Sequence, residues 1–111
     1  METPDDFLVE FTRKGQLPQK GCGNGRDLSL QGMRFATPVS LKKGEPLEVF
    51  IYFPRRFPDV AKIKLSAEVV RVYKPKGASR YRVGCRLVHL DISTRDMIRN
   101  FMEWLHRSQN Q

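Results

Sequence analysis

The sequence predicts a mainly β fold: six short strands in a small barrel or sandwich, followed by one C-terminal amphipathic α-helix. Three observations carry that reading. Apolar and β-branched runs recur about every ten residues, separated by turns bearing glycine or proline. Most of these runs alternate with a period of two. After Leu90 the period becomes helical and stays so almost to the end.

The elements follow in order. Phe7 to Arg13 (Phe-Leu-Val-Glu-Phe-Thr-Arg) is apolar and β-branched enough for a first strand. Residues 14–25 hold four glycines and Pro18, which predicts a loop, or a loop ending in a weak strand. Met33 to Thr37 is a short strand stopped by Pro38, and Lys42 to Pro46 is a turn. In the strand from Leu47 to Phe53, residues Leu47, Val49, Ile51 and Phe53 share one face, while Phe50 and Tyr52 load the other. Residues 55–59, between two prolines, form a loop. Ile63 to Tyr73 is a long strand whose alternation slips where Val70 and Val72 are both apolar, the signature of a β-bulge. Lys74 to Ser79 is a hairpin loop, and Arg80 to Leu90 returns with Tyr81, Val83, Cys85 and Leu87 on one face. Met97, Ile98, Phe101, Met102 and Leu105 then recur at helical spacing, with Ser93 expected as N-cap and Asp96 completing a weak capping box. A helix this short needs a partner surface, so its apolar stripe must cover an end or side of the sheet.

One domain over residues 7–107 accounts for these elements, flanked by an acidic N-terminal tail (1–6) and a short C-terminal tail (108–111). The chain has 111 residues and a net charge of +8. The longest apolar run, Val49 to Phe53, is far too short to span a membrane, and the acidic N-terminus is no secretory signal, so no membrane insertion is expected. Cys22 and Cys85, with no CxxC and no histidine pair nearby, argue against a disulfide framework or structural zinc and fit a cytoplasmic setting. His89 and His106 have no carboxylate or thiol at ligand spacing, and no nucleophile or nucleotide-loop motif is present. The sequence therefore predicts no enzyme, no metal and no cofactor. The charge is segregated: residues 54–86 carry ten basic and two acidic side chains, while 1–53 and 87–111 are each neutral. An anionic partner fits that excess, although a charge of this size also serves solubility alone.

The informative motif is Asp27-Leu-Ser-Leu-Gln-Gly32, a D-x-S-x-x-G pattern. Asp27 and Ser29 can cap backbone N–H groups at a turn, with Gly32 at positive φ. The same groups can also face outward: a carboxylate accepts from the N1/N2 edge of guanine, a hydroxyl donates or accepts beside it, and glycine admits a close approach. With the bulged Ala67-Glu-Val-Val-Arg-Val72, the strand Tyr81-Arg-Val-Gly-Cys-Arg-Leu87 and the C-terminal helix, this order resembles the PilZ domain, a bacterial receptor family for cyclic di-GMP (c-di-GMP), over about residues 7–107. The resemblance implies a six-stranded antiparallel barrel with the helix packed on it, and a ligand site at Asp27, Ser29 and Gly32. The family's second motif, R-x-x-x-R just before the first strand, is not matched: residues 1–6 contain no arginine or lysine. The segment is either lost or belongs to a preceding region. Arg82–Arg86 and Arg95–Arg99 have the spacing but follow Asp27, so the role is not carried to them. Arg26 and Arg34, flanking the motif, are the first substitutes.

The reading is thus a c-di-GMP module that relays the signal to a protein partner not identifiable from sequence, in motility or pilus regulation for example. The alternative is a degenerate PilZ domain acting as a nucleotide-independent adaptor. Single-stranded nucleic acid, suggested by the basic middle third with Phe53, Phe57, Tyr73 and Tyr81, is a second alternative and not the expected partner.

Overall fold

A computed structural model describes residues 7–14, 19–57 and 61–109; the acidic tail 1–6, residues 15–18 and 58–60 of the two expected loops, and the last two residues of the C-terminal tail lie outside them. Six antiparallel strands, β1 (Leu8–Arg13), β2 (Gln19–Leu28), β3 (Gly32–Thr37), β4 (Pro46–Tyr52), β5 (Lys62–Tyr73) and β6 (Tyr81–Val88), precede one helix, α1 (Ile92–Gln109). They close into a barrel in the order β1-β2-β3-β6-β5-β4, with β4 pairing back onto β1. The barrel alternative of the sequence reading is therefore the observed one.

The core follows from the period-two alternation. Val9, Phe11, Leu47, Val49, Ile51, Val69 and Val83 are at most 1% exposed, and their outward neighbours along each strand are partly or fully exposed. Each such large side chain contributes about 1.5–3 kcal/mol by leaving water.

The expectation of a loop over residues 14–25, or of a loop ending in a weak strand, needs correction in the extent of the strand. β2 begins at Gln19 and runs ten residues. Gly21 and Gly25 lie beneath the rings of Phe11 and Phe7, and a Cβ on Gly23 would stand 2.6 Å from the carbonyl oxygen of Ala36. The glycines are strand residues that leave the barrel interior to rings supplied by its neighbours.

Helix α1 seals one end. Ile98 and Phe101 are fully buried. The Phe101 ring meets Phe53 at 4.7 Å, Phe57 at 5.3 Å and Phe7 at 5.9 Å between centroids, with Trp104 5.5 Å from Phe57. Phe7 precedes β1 and Phe53 follows β4, so the helix rests on strand ends as its apolar stripe demands. The cap is Asp91 rather than Ser93: its Oδ1 accepts the Thr94 N–H at 2.7 Å, and the helix starts at Ile92. An ionised acceptor two residues upstream outcompetes the serine hydroxyl, and the bonds from Thr94 hold the Asp91 carboxyl below its ordinary value. The helix also continues to Gln109, two residues into the expected C-terminal tail.

Candidate functional site

Two irregularities decide which side chains face outward. In β2 the pairing with β3 skips from Gly25 to Asp27, leaving Arg26 without a partner. In β5 the pairing with β6 skips from Val69 to Arg71, leaving Val70 unpaired. An extra residue reverses the phase of everything beyond it. Without the first bulge Asp27 would share the inward phase of Gly23 and Gly25; without the second, Arg71 and Tyr73 would follow Val69 into the core. With both, all three stand on the outer wall.

That wall has one continuous register row across four strands: Asp27 on β2, Arg34 on β3, Gly84 on β6 and Arg71 on β5. Tyr73 and Arg82 pair in the next row to one side, Gly32 and Arg86 in the row on the other. A cleft of about 280 Å³ opens here, lined by Arg26, Asp27, Arg34, Phe35, Arg71, Tyr73, Arg82, Val83 and Gly84. It adjoins a shallower one of about 610 Å³ that adds Ser29, Gly32, Met33, Val70 and Cys85. These sizes fall close to or within the range of small-molecule clefts, about 300–1,000 Å³.

All five residues that the sequence singled out therefore border one depression. Asp27 forms an ion pair with Arg34, both side chains remaining more than half exposed. Ser29 ties the β2–β3 turn: its Oγ accepts the N–H groups of Gln31 and Gly32 at 3.3 Å each, and its own N–H donates to the Gly32 carbonyl at 2.8 Å. Gly32 is glycine for close approach, not for positive φ; a Cβ there would collide with the Cys85 carbonyl oxygen on β6. The turn thus holds the hairpin hard against β6 and sets the edge of the cleft.

Four further lining residues, Arg71, Tyr73, Arg82 and Gly84, were not assigned to this site by the sequence reading. The slip at Val70 was the available signal for the first two, since it turns them outward. Arg82, set aside because it follows Asp27 in the chain, lies beside it in space because β6 pairs directly with β3. Of the four aromatics considered for nucleic acid, Phe53 and Phe57 are buried under α1 instead. Cys85, on the inner face, is a buried thiol pushed up to about 12 by desolvation, hence unreactive at neutral pH. Among the described residues no group of three or more His, Cys, Asp or Glu could hold a metal ion, and no helix is long and apolar enough to cross a membrane.

The profile of the PilZ domain matches residues 9–104. The chain belongs to the PilZ domain family. Its likeness to solved PilZ structures is one of fold at low identity. The PilZ domain of YcgR from Escherichia coli, solved with c-di-GMP, superposes with a TM-score of 0.73 at 14% identity, over 94% of this chain and 84% of that one. YcgR from Escherichia coli in complex with c-di-GMP gives 0.75 at 15%, over 97% of this chain and 44% of that one. The Bacillus subtilis inhibitor of motility MotI/DgrA gives 0.67 at 15%, over 98% and 49%. The chain thus spans about half the length of the latter two. No curated protein sequence matches it.

Proposed function

We propose that this PilZ domain binds c-di-GMP in the cleft between β2–β3 and β5–β6 and passes its occupancy to a protein partner, without catalysis. The carrying observation is the Asp27-x-Ser-x-x-Gly32 hairpin opening directly onto a cleft lined by four arginines and one aspartate. The ligand carries two guanines, whose N1–H/N2–H edges suit an exposed carboxylate, and two anionic phosphates, which suit guanidinium groups. Asp27 provides that carboxylate, Ser29 and Gly32 hold the hairpin that presents it, and Arg26 and Arg34 flank it. Two similar structures, both of YcgR from Escherichia coli, hold c-di-GMP, which supports the same ligand here. The activity fits a cytoplasmic protein, where such a messenger is sensed.

Isothermal titration of the chain with c-di-GMP tests this. Binding is expected, and Asp27→Ala weakens it about tenfold or more, the worth of one hydrogen bond to a charged group. Absence of heat and of amide shifts near Asp27 at high micromolar ligand overturns the reading.

One observation favours a second reading, a nucleotide-independent adaptor. Asp27 is already paired with Arg34, and Ser29 with its own turn, so both have a structural use without ligand. A stable partner recovered equally well with and without c-di-GMP supports it.

A further inference from the structure

Arg71 and Arg82 enter the cleft from the side opposite the hairpin. Arg71 pairs with Gly84, and Arg82 lies two residues before it on the same face of β6, making the two arginines diagonal neighbours about 7–8 Å apart at the backbone. Between Arg34 and Arg71 the floor is bare backbone at Gly84, two strand spacings or roughly 10 Å wide. Packing does not demand a glycine there: a Cβ would meet only the Cβ of Arg71, at an ordinary 3.7 Å. What a side chain would do is fill the cleft.

The charges around this floor are unequally matched. Arg34 is paired with Asp27, and Arg86 with Glu68 at 3.2 Å. Among the described residues, no carboxylate lies within ion-pair distance of Arg71 or Arg82; the latter reaches only the Tyr73 hydroxyl, donating at 3.4 Å. Two guanidinium groups held near each other by adjacent strands repel unless an anion bridges them.

We propose that Arg71 and Arg82 are the phosphate clamp of this domain. They hold the anionic part of the ligand from the β5–β6 side while the Asp27 hairpin takes a guanine edge. This rests on the c-di-GMP reading of the cleft and deepens it. A fixed fork of N–H donors suits a phosphodiester, and the bulge at Val70 is the device that presents Arg71 to it. The clamp then belongs to the barrel wall itself.

The test is calorimetric titration of the full chain and its Arg71→Ala, Arg82→Ala, double-alanine and Arg71→Lys variants. Two probes are used, c-di-GMP and inorganic pyrophosphate. Arg95→Ala, on the exposed surface of α1, is the charge-matched control. Arg71 and Arg82 are exposed, so thermal melts should superpose across the series. Each alanine is expected to weaken c-di-GMP about ten- to a hundredfold and the double variant more. Arg71→Lys should fall between, and Arg95→Ala should match the wild type. A double variant that binds c-di-GMP as tightly as the wild type overturns the clamp and leaves the function intact. Pyrophosphate binding that the double variant loses, with no c-di-GMP binding at all, sustains the clamp and overturns the guanine reading. A wild type that binds neither probe overturns both.

Discussion

The two halves of the barrel wall are built from the same kind of strand and differ in regularity. On one side β1, β4 and the first part of β5 pair without a break, from Leu8 opposite Tyr52 to Arg13 opposite Leu47, and from Pro46 opposite Glu68 to Tyr52 opposite Lys62. Outward cations there are occupied by neighbours: Lys64 pairs with Glu48, and Lys62 and Lys64 lie 5.5 and 5.9 Å from the centre of the Phe50 ring. On the other side β2 and β5 each carry one extra residue, and cations outnumber the anions available to them. A regular ladder fixes which side chains face out by counting in twos. A bulge lets a strand keep its core face and still turn a chosen charged residue to the surface, and here it does so twice around one cleft.

The sharpest way to break this contrast is to remove the bulge. Deleting Val70 forces β5 to choose between turning Arg71 and Tyr73 into the core and dragging the hairpin out of register. An unpaired guanidinium in the core costs about 3–5 kcal/mol, to be read by denaturant unfolding. Unchanged stability with unchanged ligand affinity would show that the bulge positions nothing.

A smaller effect is expected at the junction of the two halves. The turn at Lys42–Glu45 docks on the residue just before the β5 bulge: the Gly44 N–H donates to the Val69 carbonyl at 2.7 Å, and the Val69 N–H to the Glu45 carbonyl at 2.9 Å. The Glu45 carboxylate accepts from the Arg13 guanidinium and from the Lys42 N–H, both at 3.0 Å. Burial alone would raise this carboxyl, but the Arg13 and Lys42 bonds and charges outweigh it and hold it below its ordinary value of 4.5. A lowered folded value stabilises above the unfolded one and is lost as the pH falls through the folded one. Glu45→Gln should therefore cost about 1–3 kcal/mol at pH 7. The gap to the wild type should close in melts taken progressively below pH 4.5. A gap independent of pH would mean that the carboxylate charge is not what holds the turn.

The smallest effect belongs to the regular half. Lys64→Ala removes an exposed pair and should change stability by about 0.5 kcal/mol or less, with c-di-GMP affinity unaltered. A large loss of affinity there would move the ligand to the wrong side of the barrel.

How much of this was readable in the chain depends on where the signal lay. The bulge in β5 was visible because Val70 and Val72 are both apolar, an interruption that period-two counting detects locally. The bulge in β2 was not, because Gly21, Gly23 and Gly25 replace the apolar alternation that would reveal a strand. Their inward space is filled by Phe11, Phe35 and Phe7 from strands elsewhere in the sequence. The D-x-S-x-x-G residues were readable as a motif. The convergence of Arg71 and Arg82 on them was not, since it depends on β6 lying between β3 and β5, a neighbourhood the chain order does not contain. Ser93 looked like the cap because serine is a strong one, and Asp91 displaced it by offering a charged acceptor one position before the helix.

Amide chemical-shift mapping of the whole chain during titration with c-di-GMP tests the central claim most directly. Shifts are expected to cluster at residues 26–34, 70–73 and 82–86, with β1 and β4 unmoved. Shifts centred on β1 and β4, or none at saturating ligand, would contradict it.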